Sequence, residues 1–212
     1  MHQNVVVAVL QQEIVWAGML FQRNNFMLKA SSNDYGLVAK LFHWVLAFVI
    51  LWQLFTGLNL SGMEFSQEKG QFIWFHQITG TLLFTLIAAR LIWRFYNRPK
   101  FEDTLPPFHY WTSRIVQILL YALCFWLPIQ GSLMTWAGGF DVYLVGLIKI
   151  PALVAENKEM YPTFVSFHFQ TAILLLLLTV LHISAGVYHR FLIKDKYGVF
   201  SRMSLISRKE KE

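Results

Sequence analysis

The sequence has little cysteine and little charge. Its 212 residues include one cysteine and only 14% charged side chains. A single cysteine excludes an intramolecular disulfide and a metal cluster held by several cysteines of this chain. Cys124 lies inside an apolar run, where we expect it to serve in packing.

Acidic residues are missing from the four longest apolar runs. A zinc site needs histidine, cysteine or acidic ligands that close a tetrahedron, and a carboxylate proton relay needs acidic groups at membrane depth. The formal net charge is +6, but the basic residues lie in short segments between apolar runs. They do not form the soluble basic face that nucleic acid requires, so we expect no nucleic-acid partner.

Apolar residues are abundant, at 56% hydrophobic and 17% aromatic. Such a composition is typical of an integral membrane protein and not of a soluble domain. Four runs reach the length of roughly 20 residues that a helix needs to cross a bilayer. The sequence therefore predicts an all-α integral membrane four-helix bundle over residues 39–194, with helices at about 41–60, 72–93, 115–137 and 164–188.

The two ends of the chain flank this domain. Residues 1–38 form an N-terminal extension in which Gln11, Gln12 and Glu13 interrupt the apolar segments. The extension therefore fits neither a secretory signal nor a spanning helix. Met27 is a candidate start, so either the residues before it are not always translated or they form a surface segment. Residues 195–212 are expected to form a basic cytoplasmic tail.

Lysine and arginine predict the orientation. If the N-terminus, the 90–114 segment and the C-terminus share one side, that side holds 15 of the 18 basic residues and is cytoplasmic. The far side then has a short loop and a long loop, residues 138–163. Residues 140–153 of the long loop are apolar but too interrupted to span, so we expect them at the membrane surface.

Four histidines fall at two membrane depths. His168 and His182 lie fourteen residues apart in the fourth run, close to four turns, so both project from nearly the same face with an axial gap of about 21 Å. His76 begins the second run on the far side, and His43 begins the first run on the cytoplasmic side. The predicted pairs are therefore His76 with His168 and His43 with His182. Histidine in hydrocarbon is costly unless it is paired or coordinated, and two facing pairs are what two stacked b-type haems require.

The same fourteen-residue spacing selects further candidates. Gly57 lies fourteen after His43 and presents no side chain at the far-side depth, which favours haem clearance over simple helix packing. Arg90 lies fourteen after His76, where it either pairs with haem propionates or reaches the cytoplasmic headgroups. For His189 we favour interfacial proton handling or contact with a propionate over a role as a haem ligand. Gly80 and Gly186 fit haem clearance and simple packing equally well.

These residues occur in motifs that resemble the bacterial cytochrome b561 family. The resemblance covers about residues 33–203 and rests on a set of short segments around the histidines. They are Tyr35-Gly36, Phe42-His43-Trp44, His76 with Gly80, Ala89 to Arg94, Gly131 with Gly138, His168 with His182, His189-Arg190-Phe191 and Lys194-Asp195. Where Tyr188 precedes His189, some members have a second histidine. The family implies a dihaem inner-membrane protein that exchanges electrons with quinone, and the histidine pairing it implies agrees with the one above.

Two functions follow as alternatives. The first is a transmembrane electron-transfer protein with two b-type haems in the bacterial inner membrane, a quinone-linked oxidoreductase that works alone or as a homodimer. The second is a cytochrome b anchor subunit that carries electrons for a soluble dehydrogenase or hydrogenase, as in related four-helix cytochromes. The electron donor is not indicated by the sequence. A haem-free transport protein is the third class, and one optical spectrum separates it from the other two.

Overall fold

A computed structural model describes residue 16 and residues 28–31, 34–99 and 105–205. Over these residues the fold consists of four long helices, a β-hairpin and two short helical turns. In chain order they are α1 (Leu37–Gly62), α2 (Gln67–Tyr96), α3 (Pro107–Ala137), β1 (Val142–Leu144), β2 (Ile148–Ile150), α4 (Tyr161–Val187), a π-helical turn (Tyr188–Leu192) and a 3-10 turn (Ser201–Met203).

All four predicted spanning helices are confirmed, and each is long and apolar enough to cross a membrane. The observed helices begin earlier than the apolar runs, and the first two also end later, because an apolar run marks only the part suited to lipid. Polar ends carry the caps: the Ser66 hydroxyl, for example, accepts a 3.1 Å hydrogen bond from the Lys69 N–H at the start of α2. Helix α3 begins with Pro107, where its missing N–H is harmless, and continues through Pro128.

The four helices enclose a narrow apolar core. Helix α1 packs on α2, α2 on α3 and α3 on α4. Their buried side chains meet in one cluster, and it includes the single cysteine. The members are Leu46, Leu54, Leu83, Ile87, Cys124, Leu127 and Leu175. Many large apolar side chains point outward instead, such as Phe48, which is 70% exposed. An apolar outer surface of this kind is what a bundle surrounded by lipid requires.

The long far-side loop folds into a β-hairpin that the sequence analysis did not anticipate. Strand β1 pairs antiparallel with β2 and packs against α2 and α3. The Thr81 hydroxyl on α2 accepts a 2.9 Å hydrogen bond from the Val145 N–H and lies 3.3 Å from the Tyr143 carbonyl. At the other end, the Asp141 carboxylate accepts a 2.7 Å bond from the Lys149 ammonium and raises the pKa of that group. The Thr81 hydroxyl thus offers a hydrogen-bond partner to two backbone groups of the hairpin and links it to α2.

The C-terminal end of α4 continues into an ordered turn. The buried Asp195 carboxylate accepts 2.9 Å hydrogen bonds from the backbone N–H groups of Phe200 and Ser201. The Trp44 indole N–H donates to the Met203 carbonyl at 3.0 Å, which ties the segment to α1. The first part of the predicted basic tail is therefore folded back against the bundle.

The N-terminal side of α1 is held by an ion pair. The Lys40 ammonium, 7% exposed, donates a 2.7 Å hydrogen bond to the Asp34 carboxylate. The interpretations of residues 11–13 and of Met27 as a start lie outside the described residues.

Candidate functional site

His76 on α2 and His168 on α4 face each other near the far-side end of the bundle. Their ring centres are 6.3 Å apart and the ring planes are 84° apart. The His168 Nδ1 atom is buried and has no hydrogen-bond partner within the described part of the chain, although the Leu127 backbone carbonyl approaches the ring. The predicted far-side pair is therefore brought together.

Two glycines lie against the two rings of this far-side pair. A Cβ at Gly57 on α1 would lie 3.3 Å from His76 Cε1, and a Cβ at Gly131 on α3 would lie 3.4 Å from His168 Cε1. A cavity adjoins both histidines, and its lining includes Gln53. A side chain at Gly57 would press on the His76 ring, and one at Gly131 would lie in contact with the His168 ring, beside the cavity.

His43 on α1 and His182 on α4 face each other nearer the other end of the bundle, which the basic residues predict to be cytoplasmic. Their ring centres are 6.1 Å apart and the planes are 69° apart. A guanidinium nitrogen of Arg90 on α2 lies 3.2 Å from His43 Nδ1. The same guanidinium lies over the Tyr121 ring of α3, 5.6 Å from its centre. Arg90 is thus directed into the bundle, where it contacts the His43 and Tyr121 rings.

The remaining candidates lie apart from the two pairs. His189 is in the π-helical turn, 8% exposed, and its ring centre is 5.7 Å from that of His109. A Cβ at Gly80 would meet the Gln53 amide at 2.8 Å, and a Cβ at Gly186 would meet nothing within 4 Å. Neither of these two glycines contacts a histidine ring.

The structure also shows side chains that the sequence reasoning missed. The Thr56 hydroxyl lies 3.0 Å from His76 Nδ1, and the Gln53 amide donates a 2.9 Å hydrogen bond to the His76 carbonyl. Tyr121 beside Arg90 was missed too. A signal existed for the first two, because both are polar residues inside an otherwise apolar run.

The spacing of both pairs fits a metal held between two imidazoles. A metal–imidazole bond is about 2 Å long, so two such bonds on opposite sides of an iron separate the ring centres by about 6 Å. The observed separations are 6.1 Å and 6.3 Å. No group of three or more histidine, cysteine, aspartate or glutamate side chains suited to a metal ion occurs among the described residues. The donor set is therefore one of facing histidine pairs, as bis-histidine haem requires.

Residues 34–203 match the family described as prokaryotic cytochrome b561, which covers most of the chain. The chain belongs to the prokaryotic cytochrome b561 family. It is also 26% identical over 170 residues to cytochrome b561 homolog 2 of Escherichia coli (strain K12), an alignment that covers 76% of this chain and 87% of the relative.

Membership of the cytochrome b561 family confirms the resemblance seen in the motifs. This family member is a multi-pass bacterial membrane protein that binds b-type haem and serves in transmembrane electron transfer. The matched residues include all four helices, both histidine pairs and the turn that follows α4. The number of haems and their individual ligands remain predictions from the geometry above.

Proposed function

We propose that this cytochrome b561 carries electrons across the bacterial inner membrane through two b-type haems and delivers them to quinone. His76 and His168 hold one haem at the far side, and His43 and His182 hold the other at the cytoplasmic side. When bound, each haem supplies reversible one-electron chemistry. The protein supplies axial imidazoles, an apolar enclosure and nearby charge.

The observation that carries this proposal is the repetition of one geometry at two depths. Ring centres lie 6.3 Å apart in one pair and 6.1 Å apart in the other. One helix, α4, contributes a histidine to each pair, and these two histidines are separated by about 21 Å of helix rise. Histidines that only reach toward water at helix ends have no reason to form two such pairs.

The other residues of the two sites have distinct tasks. The glycines beside His76 and His168 admit a flat macrocycle, because neither places a side chain against a ring. The Arg90 guanidinium supplies positive charge at the cytoplasmic depth, where it binds a haem propionate or acts directly on His43. His189, whose ring centre lies 5.7 Å from that of His109, relays protons to reduced quinone or contacts a propionate.

The proposed orientation has both termini in the cytoplasm, because most basic residues lie at that end of the helices. The four-helix domain then extends over residues 39–194, followed by the C-terminal tail. Quinone is reached from the membrane, and a redox partner or second copy docks on the exposed surfaces.

Purification in mild detergent tests the proposal. We expect a pyridine haemochrome assay to give two haems per chain, both low-spin, and quinol alone to reduce them. One haem per chain in an intact preparation would contradict the two-site arrangement. Co-purification with a large soluble metalloenzyme, without reduction by quinol alone, would favour the anchor-subunit alternative.

A further inference from the structure

Thr56 contacts the imidazole of His76 from a neighbouring helix. Thr56 is on α1, one residue before Gly57, and is 6% exposed. Its hydroxyl oxygen lies 3.0 Å from His76 Nδ1 on α2 and 3.2 Å from the Gln53 carbonyl oxygen of its own helix. A hydroxyl has one hydrogen to donate and can accept as well.

Only one placement of the hydrogens makes both Thr56 contacts hydrogen bonds. In that placement the Thr56 hydroxyl donates its hydrogen to the Gln53 carbonyl, which can only accept. At the other contact the same oxygen must therefore accept, and His76 Nδ1 carries the proton. A neutral imidazole protonated at Nδ1 keeps its lone pair at Nε2, and that lone pair can coordinate a metal.

Helix α1 also holds the backbone of the same histidine. The Gln53 amide nitrogen donates a 2.9 Å hydrogen bond to the His76 carbonyl, and its oxygen lies 3.0 Å from the Thr79 hydroxyl. The amide fits there because Gly80 has no side chain, and a Cβ at that position would lie 2.8 Å from the amide nitrogen. Polar groups at membrane depth are costly when unpaired, so these contacts hold α1 against α2 at His76.

His76 differs from the other paired histidines in this support. The His168 Nδ1 atom has no hydrogen-bond partner in the segments described here, and His43 Nδ1 faces the cation of Arg90 instead of a hydroxyl. Of these three rings, only that of His76 has a side-chain hydroxyl at Nδ1, and that ring belongs to the far-side pair. Its effect must fall on that site alone.

We propose that Thr56 is a positioning residue that holds His76 with Nε2 directed to the far-side haem iron and lowers the reduction potential of that haem. The inference rests on the proposed function. An acceptor at Nδ1–H makes the imidazole a stronger electron donor, and a stronger donor stabilises ferric iron more than ferrous iron. Removing the hydroxyl therefore raises the far-side potential.

The test compares Thr56→Val, which keeps the shape and loses the hydroxyl, with Thr56→Ser, which keeps the hydroxyl. Thr85→Val is the matched control, because the Thr85 hydroxyl donates only along its own helix, to the Thr81 carbonyl at 3.0 Å. Purified holoprotein is titrated while absorbance is recorded. The two haem components are assigned from His168→Ala and His182→Ala variants.

In Thr56→Val we expect the reduction potential of the far-side haem to rise. The expected rise is equivalent to about a tenfold change in the ferric-to-ferrous ratio, which is 59 mV for one electron. The cytoplasmic component stays unchanged, and Thr56→Ser and Thr85→Val match the wild type. Loss of the far-side haem from Thr56→Val alone also supports positioning. Unchanged potentials, equal shifts of both haems, or the same loss of haem in all three variants would overturn the proposal. A wild-type protein without two low-spin components would instead contradict the proposed function itself.

Discussion

The far-side and cytoplasmic histidine pairs share a geometry and differ in electrostatics. Ring centres lie 6.3 Å apart in the far-side pair and 6.1 Å apart in the cytoplasmic pair. Around His76 the contacts are neutral, from a hydroxyl and a glycine. Around His43 the contact is a guanidinium, which lies on a tyrosine ring. The protein repeats the ligand geometry and varies the charge beside it.

This difference gives the proposed electron path a direction. A nearby cation disfavours ferric iron, which is more positive than ferrous iron, so it raises the potential of the cytoplasmic haem. An imidazole that donates to a neutral acceptor lowers the potential of the far-side haem. In the proposed two-haem arrangement, electrons would therefore run downhill from the far-side haem to the haem at the end where most basic residues lie.

Removing a ligand tests whether the two sites are separate, and it has the largest expected effect. His76→Ala should remove the far-side haem or convert it to high spin, and His43→Ala should do the same to the cytoplasmic haem. Haem content and the optical spectrum of each variant measure this. His109→Ala serves as the control, because its ring contacts His189 and Tyr188 and neither pair. If His76→Ala and His43→Ala alter the same spectral component, the two-depth arrangement is wrong.

The sequence predicted the helices and the histidine pairing for one physical reason. Helix rise is fixed, so a fourteen-residue interval sets a depth whatever the neighbours do. Contacts that depend on how a helix is rotated were not predictable in this way. Thr56 reaches His76 across two helices, and a count along either helix contains no information on that contact. The partner of Arg90 was open for the same reason.

The hairpin shows a second limit of the sequence. Its strands have three residues each, so an alternating pattern has no room to develop. The turn needs positive φ at Val145 and Gly146, and the glycine alone marks this in the sequence. Its anchor, the Thr81 hydroxyl, lies more than 60 residues earlier in the chain. A segment held by side chains this distant in sequence, Thr81 and also Gln77, whose amide donates to the Asp141 carbonyl, is recognisable only after the bundle has formed.

Arg90→Gln gives the next largest effect and tests the electrostatic half of the comparison. At an effective dielectric constant of about 20, two unit charges about 8 Å apart interact by about 2 kcal/mol. That energy corresponds to about 90 mV for one electron. Since the far-side iron lies about 21 Å further along the helix axis, we expect the cytoplasmic potential to fall by roughly this amount and the far-side potential to fall much less.

Two variants control the Arg90 experiment. Arg90→Lys keeps the charge and should leave the potential of the cytoplasmic haem close to its wild-type value. Arg94→Gln instead removes a cation that lies one turn nearer the end of α2. A redox titration of the three proteins separates the possibilities. Unchanged midpoints in Arg90→Gln would mean that its charge is neutralised by the headgroups or by solvent, and the cytoplasmic haem would then lack its proposed cation.

Gly57→Ala gives the smallest effect and tests the packing half of the comparison. The added methyl group would lie 3.3 Å from His76 Cε1, which is tighter than ordinary contact, so the ring must move by a few tenths of an ångström. Gly186→Ala is the matched control, since it adds the same methyl group to a helix with nothing within 4 Å. Both changes remove the backbone freedom of a helical glycine, worth roughly 1 kcal/mol, so that term cancels.

We expect Gly57→Ala to alter the low-spin signal of the far-side haem in electron paramagnetic resonance, because that signal depends on the orientation of the axial rings. The cytoplasmic signal should stay unchanged, as should both signals in Gly186→Ala. A change confined to the cytoplasmic signal would show that Gly57 contacts a different haem from the one that His76 binds, and the depth assigned to Gly57 would then be incorrect.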